Sequence, residues 1–414
     1  MIEVNKYQFP NGLRLLHHAD CNTQMVALNL LYDVGSRDES PDRTGFAHLF
    51  EHLMFGGSLH VSDFDAELQQ AGGENNAWTS NDITNYYTIV PRQNVETAFW
   101  LESDRMLGLD FSQRSLDIQK AVVIEEFKQR TLNQPYGDIS ALIREMAYLR
   151  HPYRWPVIGR DITHIEGATL DEVKSFYYSH YAPNNAILAV AGNISYEETL
   201  RLAEKWFAPI EKRTIPSRHI LPEPQQQTPR QKEVERDVPM DAIVKAFHME
   251  GRCGEHYQTC DLISDILSNG RSSRLFRHLV MEKPLFTAID ASITGDIETG
   301  LFLINGRLNR GVSMQQADEA IEEELEKLCS EPVPEPEIRK MVHKFETNYL
   351  FSNLSYVDKA ANLAYFELLD QAEAIDHEIE KYYRITPEAL QTTAQAIFRA
   401  NNISTLYYKA QNSC

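Results

Sequence analysis

Two stretches, Thr169-Leu-Asp-Glu-Val-Lys-Ser-Phe-Tyr-Tyr-Ser-His-Tyr-Ala-Pro-Asn184-Asn185 and Thr386-Pro-Glu-Ala-Leu-Gln-Thr-Thr-Ala-Gln-Ala-Ile-Phe-Arg-Ala-Asn401-Asn402, end the two halves of the chain in the same way. In each, 15 positions separate the Thr from the first Asn of the Asn-Asn pair. Thr with acid in the following turn is a helix start. Val173 and Tyr181 fall where Leu390 and Phe398 fall, on the stripe that a helix buries. Asn-Asn then turns the chain into β-rich sequence, Ala-Ile-Leu-Ala-Val-Ala-Gly in one case and Ile-Ser-Thr-Leu-Tyr-Tyr in the other. Helix–turn–strand units are common, so one such match has a chance explanation. Its place at the end of both halves favours an internal duplication.

Residues 211–232 support that division. Four prolines and the run Gln225-Gln226-Gln227 leave no room there for a helix or a central strand. The expected organisation is a domain over 1–210, a linker over 211–232 and a second domain over 233–414. Strand patterns at Leu13–His17, Met25–Tyr32, Asn85–Val90, Ala186–Ala191, Ala242–His248 and Gly300–Gly306 mix with helical patterns in no regular βαβ rhythm. The helical patterns include Thr44–Phe55, Ser115–Leu132 and Arg271–Val280. The fold class is therefore α+β, with a mainly antiparallel sheet and helices in each half.

Composition narrows the function. The chain has 414 residues, 40 Lys+Arg against 60 Asp+Glu, and a net charge of −20. That balance argues against nucleic-acid binding, which needs a basic face. At 43% hydrophobic the chain can fill sizeable cores, yet no run approaches the ~20 apolar residues of a membrane span. Cys21, Cys253, Cys260, Cys329 and Cys414 are odd in number, irregularly spaced and without a Cys-x-x-Cys, which speaks for a reducing compartment. The first 30 residues show no basic-then-apolar leader. The expected location is the cytoplasm, or the periplasm if a leader was removed.

The chemistry gathers in Thr44-Gly-Phe-Ala-His48-Leu-Phe-Glu51-His52-Leu-Met-Phe-Gly56-Gly57. Thr44 is placed to cap a helix and the glycines to end it. Phe46, Leu49, Phe50 and Leu53 make one apolar face. His48 and His52, at i and i+4, stack one turn apart on another face, a spacing at which two imidazoles hold one metal ion. Glu51 lies beside them, giving H-x-x-E-H, the reverse of the H-E-x-x-H zinc motif. A chance pair of core histidines is the bland alternative. Three protein ligands and an open position are usual in a catalytic zinc site. The third is sought in Val122-Val123-Ile-Glu125-Glu126. Glu126 shares a face with Val122 and Val123 and so points toward a packed interior, with Glu125 about 100° away. A carboxylate on an apolar face needs a partner or a metal. The competing reading is a solvated Glu-Glu pair at a helix end.

Taken together these motifs resemble the inverzincin metallopeptidases, the pitrilysin/insulinase family that includes mitochondrial processing peptidase. The resemblance is carried by Asn11-Gly12-Leu13-Arg14, the H-x-x-E-H segment, Asn76-Ala77-Trp78-Thr79, Val122–Glu126, His151-Pro-Tyr153, the Tyr181–Gly192 stretch and Ser272-Ser273-Arg274-Leu275-Phe276. It covers most of the chain. It implies two similar α+β domains in tandem, half of a clamshell that two such chains close around a peptide-sized chamber. It implies His48, His52 and Glu126 as ligands of one zinc ion per chain. Glu51 becomes the general base that takes a proton from the attacking water and returns it to the leaving amine. Asn76, Ala77, Trp78 and Thr79 become the edge strand that pairs with an extended peptide substrate.

Two departures stand out. Gln119 occupies the position, seven before Glu126, where the family often has a Glu that supports the site. Val280 and Thr287 occupy the positions where active members often carry an Arg and a Tyr that stabilise the reacting carbonyl. Some bacterial members divide these parts between a zinc-bearing subunit and a related zinc-less one. The chain resembles the zinc-bearing kind, so the expectation is a homodimer or a heterodimer with such a partner. The leading function is a zinc endopeptidase acting on unfolded peptides. The alternative is a non-catalytic structural or peptide-binding subunit.

Overall fold

The computed structural model describes residues 2–411, so Cys414 lies outside the described residues. The first stretch of chain forms β1 (Asn5–Gln8), β2 (Arg14–Ala19), β3 (Met25–Tyr32), α1 (Phe46–Leu53), α2 (Phe64–Gln70), β4 (Glu74–Thr79) and β5 (Thr84–Pro91). Next come α3 (Val95–Leu107), α4 (Gln113–Phe127), α5 (Ile139–Ala147), α6 (Ile162–Glu166), α7 (Leu170–His180), β6 (Ala186–Gly192) and α8 (Tyr196–Trp206). The later stretch forms β7 (Arg230–Arg236), β8 (Ala242–Met249), α9 (Tyr257–Ser268), β9 (Phe286–Ile293), β10 (Gly300–Leu308), α10 (Met314–Ser330) and α11 (Glu335–Ser352). It ends with α12 (Tyr356–Leu369), α13 (Glu378–Tyr383), α14 (Pro387–Ile397) and β11 (Ile403–Ala410).

Two sheets result, in the orders β1-β2-β6-β3-β5-β4 and β7-β11-β8-β10-β9. The second repeats the first without β1. Each has one parallel pair (β2 with β6, β7 with β11) followed by antiparallel neighbours. The duplicated turns agree in detail. Asn185 Nδ2 donates to the carbonyls of His180 and Asp33, and Asn402 Nδ2 to those of Ile397 and His248. In both halves one side-chain amide, part-buried in Asn185 and buried in Asn402, thus ties the end of a helix to a point near or just past the end of the neighbouring strand. Thr169 and Thr386 cap α7 and α14 as expected, each hydroxyl accepting a first-turn amide.

The compact units do not follow the linear division 1–210 and 233–414. One contains the chain up to Lys128, Trp155–Ile220 and Tyr349–His377. The other contains Gln129–Arg154, Leu221–Asn348 and the chain from Glu378 onward. The reason lies in the central strands. Every residue of β6 is buried, and its side chains alternate between two cores. Ala186, Leu188 and Val190 join the core that includes α1, α3 and α7, while Ile187, Ala189 and Ala191 join a second core completed by Ala360, Leu363 and Ala364 of α12. A strand apolar on both faces needs a cover on both. In the other unit, Ala242, Val244 and Ala246 of β8 are covered in the same way by Ile143 and Ala147 of α5. Each unit therefore takes one helix from the other half of the sequence.

Other expectations shift locally. Residues 211–229 lack regular structure, but β7 begins at Arg230, inside the expected linker. In place of a plain helix over Arg271–Val280, a wide-turned helix runs over Phe276–Glu282, and the Lys283 amide after it donates to the His278 carbonyl. No helix among the described residues is long and apolar enough to cross a membrane.

Candidate metal centre

The helix α1 is only eight residues long, and a helix of two turns has little stability of its own. It is held by its surroundings. Phe46, Leu49, Phe50 and Leu53 are buried in the core, as their spacing requires. Phe50 stacks on Phe176 and Tyr181 with ring centroids 5.0 and 5.4 Å apart. Thr44 is not the cap. Its hydroxyl accepts from the Arg160 amide and meets His164 Nδ1 at 2.9 Å. The cap position falls to Gly45, at φ +89°, where a Cβ would lie 2.9 Å from the Ile158 carbonyl oxygen. At the other end α1 stops at Leu53, before Gly56-Gly57. There α4 comes close, and Ser115 Oγ donates to the Gly56 carbonyl at 3.2 Å.

This contact sets α4 beside α1. His48 and His52 lie with ring centroids 4.9 Å apart and planes nearly perpendicular. Glu126 Oε2 is 3.6 Å from His48 Nε2 and 3.3 Å from His52 Nε2. One donor atom from each of the three residues lies within 4.8 Å of the others. Donors each ~2.0–2.1 Å from one tetrahedral ion are ~3.4 Å apart. Two imidazoles and a carboxylate at these separations fit a zinc ion in both spacing and donor chemistry. The immediate setting of Glu126 is more open than its sequence suggests. Val123 is buried, but Val122 is 45% exposed, so the face shared by Val122 and Glu126 is the rim of the helix rather than its packed side. Glu125 is exposed, as expected.

Glu51 projects from the same helix, and Thr79 Oγ1 donates to its Oε2 at 2.6 Å. Thr79 ends β4, which pairs only with β5 among the described residues and so forms the edge of its sheet. Along β4, Asn76 and Trp78 are exposed while Ala77 and Thr79 are half-buried. Asn76 Oδ1 accepts the Ala77 amide at 2.8 Å, and Trp78 tilts over Tyr87. Gln119 lies two turns before Glu126, and a Cβ built on Gly56 would lie 3.5 Å from its Nε2. Its amide thus sits beside the junction of α1 and α4. Val280 lies half-buried on the wide-turned helix and Thr287 is exposed on β9, with its hydroxyl donating to the Arg307 carbonyl.

Glu39 is a residue of this site that the sequence reading passes over. Its carboxylate accepts from the amides of Gly45 and Ala47 at 2.9 and 2.8 Å. Burial pushes its carboxyl up to about 8, against the downward pull of those two amides. An acid shortly before the start of α1 is the only signal, and loop acids are too common to single it out.

Residues 14–153 match the family described as insulinase (peptidase family M16), and residues 167–345 match the one described as peptidase M16 inactive domain. The zinc protease PqqE of Helicobacter pylori is 26% identical over 406 residues, 96% of this chain and 91% of that protein. An uncharacterized zinc protease of Bacillus subtilis, YmxG, is 25% identical over 401 residues, 95% of this chain and 96% of its own. The crystal structure of a protease from Helicobacter pylori superposes with a TM-score of 0.93 at 26% identity, covering 99% of this chain and 100% of that one. The periplasmic protease PqqL of Escherichia coli shares the fold with a TM-score of 0.80 at 18% identity, over 99% of this chain but 48% of that longer one.

Proposed function

Because the chain belongs to the insulinase-type peptidases of family M16, we propose that it is a zinc-dependent endopeptidase that cleaves unfolded peptides. The observation that carries this reading is the convergence of His48, His52 and Glu126 with Glu51 alongside. The three converging residues would hold one zinc ion per chain. Bound there, the ion supplies Lewis-acid chemistry, polarising the scissile carbonyl and acidifying the attacking water. The rest falls to the chain's own groups. Glu51 takes a proton from that water and delivers it to the leaving amine. Thr79 holds the Glu51 carboxylate toward β4. The edge of β4 receives the peptide as an added strand, with Asn76, Ala77 and Trp78 along it.

The oxyanion contacts come from elsewhere. Neither Val280 nor Thr287 supplies a cation or a phenol, and such contacts are worth several kcal/mol in other hydrolases. We therefore assign the working enzyme to a dimer whose chamber is closed by a second subunit, a related zinc-less chain that brings the Arg and Tyr. That PqqL matches this chain over about half its length is in keeping with a chamber built from two chain-lengths.

The test is cleavage of a mixed peptide pool by the zinc-loaded chain, read by mass spectrometry, alone and with candidate partner chains. A chelator control and the Glu51→Gln variant accompany it. Chelator-sensitive cleavage lost in Glu51→Gln is the expected result. Bound zinc with no cleavage under any pairing would favour the alternative, a peptide-binding or structural subunit.

A further inference from the structure

The segment Gly35–Glu39 stands between the two elements that make the site. On one side it is tied to the end of the edge strand. Ser36 N donates to the Ser80 carbonyl at 3.2 Å and Arg37 N to that of Asn81 at 2.9 Å, the two residues that follow β4. Gly35 leaves no space for a side chain, because a Cβ there would lie 2.4 Å from the Asn81 carbonyl oxygen. The segment is further pinned by Trp155 Nε1, which donates to the Ser36 carbonyl, and by Arg37, which pairs with Asp82 and Asp33. On its other side is Glu39, 7% exposed, with its two carboxylate oxygens on the Gly45 and Ala47 amides.

Those amides belong to the group at a helix start that has no partner within the helix. In most helices a side chain at the cap position serves one of them. At α1 the cap is glycine and has no side chain to offer. Ala47 is the residue immediately before His48.

We propose that Glu39 is a positioning residue of the metal centre: its carboxylate replaces the cap that Gly45 lacks, fixes the first turn of α1, and so sets the directions of His48 and His52. Through Gly35–Arg37 the same segment fixes that turn relative to β4, so the metal ligands and the strand that receives substrate share one anchor. The inference rests on the reading of His48 and His52 as zinc ligands.

The experiment compares wild type with Glu39→Ala and Glu39→Gln in the full chain, by two measurements. The first is zinc affinity, from competition with a chromogenic chelator. Loss of a helix cap corresponds to about a 3- to 30-fold weakening for Glu39→Ala. Glu39→Gln, which keeps one carbonyl acceptor, should lose less. The second is amide hydrogen exchange of the zinc-free chain. The first turn of α1 should exchange about 3- to 30-fold faster in Glu39→Ala, with β6 unchanged. Ile187→Ala, a core change on the face of β6 turned to α12 and not to the core that holds α1, serves as the control. It should lower the melting temperature yet leave zinc affinity within about twofold. Folded Glu39 variants with wild-type affinity and wild-type exchange would overturn the proposal. So would an Ile187→Ala chain that lost zinc as readily. If Glu39→Ala fails to fold, Glu39→Gln decides alone. A wild-type chain that bound no zinc would end the zinc reading and the positioning role with it, and unchanged exchange would show that Glu39 does not order α1 either.

Discussion

Thr79 Oγ1 donates a 2.6 Å hydrogen bond to Glu51 Oε2, joining the last residue of the edge strand to the acid of the H-x-x-E-H helix. On the proposed reading of Glu51 as the base and β4 as the strand that receives peptide, the bond makes the two one mechanical piece. A hydrogen bond to a charged group is worth about 1.5–3 kcal/mol. Thr79→Val, which keeps the shape and removes the donor, should lower kcat/KM by about ten- to a hundredfold with zinc content unchanged. Thr79→Ser should recover most of the loss. Steady-state cleavage of one peptide by the three chains tests this, and an undiminished Thr79→Val enzyme would refute it.

The ligand assignment separates from the base assignment by metal content. Removing His48, His52 or Glu126 takes away one of three protein donors. His48→Ala, His52→Ala and Glu126→Gln should each cost more than about tenfold in zinc affinity. Glu51→Gln should retain zinc and lose about 10²- to 10⁴-fold in turnover. Zinc analysis of dialysed protein distinguishes the two classes. Full zinc content in Glu126→Gln would remove Glu126 from the set.

His248 gives the second domain an acid limit. Burial, with the Arg230 charge nearby, depresses its pKa to about 4, although Glu223 pulls the other way. The unfolded chain, with an ordinary histidine, takes up this proton near pH 6.5 and the folded chain only near 4. Stability is therefore fully present above about pH 6.5 and falls as the pH drops through that window. The slope is about 1.4 kcal/mol per pH unit, for a total on the order of 3 kcal/mol. From about pH 7 to about pH 4 the melting temperature of wild type should fall more than that of His248→Gln. Parallel curves would show that His248 does not carry the effect.

The exchanged helices predict how the chain can be cut. Leu363 of α12 is fully buried in the second core of the N-terminal sheet. Leu363→Ala should cost about 2–5 kcal/mol. A fragment ending at residue 232 lacks α12 and leaves one face of β3 and β6 uncovered. It should show no cooperative thermal transition, whereas the full chain should. A well-folded fragment would mean that α12 is dispensable to the first sheet.

Much of the fold is legible in local pattern. Met25–Tyr32 reads as a strand with those same ends, because its apolar run is long and bounded by turns. The Thr and Asn-Asn signals mark a true repeat, because cap and turn chemistry act within a few residues. The edge strand β9 escapes such a reading, since its half-exposed sequence has no strong alternation. The start of α1 lies two residues beyond the Thr44 that the pattern marks. A threonine hydroxyl looks like a cap until His164 and Arg160, remote in sequence, claim it.

The sequence alone determined the class of fold, the repeat, and the identity and spacing of His48, Glu51 and His52, because helical periodicity places residues i and i+4 together whatever surrounds them. Only the tertiary structure brought Glu126 within 3.3 Å of His52, put Thr79 on Glu51, set Glu39 under α1 and gave each sheet its helix from the other half of the chain. All of these but the Glu39 contact, eight positions from Ala47, join residues far apart in the chain. They are decided by which apolar faces must be covered and which buried amides must be satisfied, and neither demand can be read from neighbours in sequence.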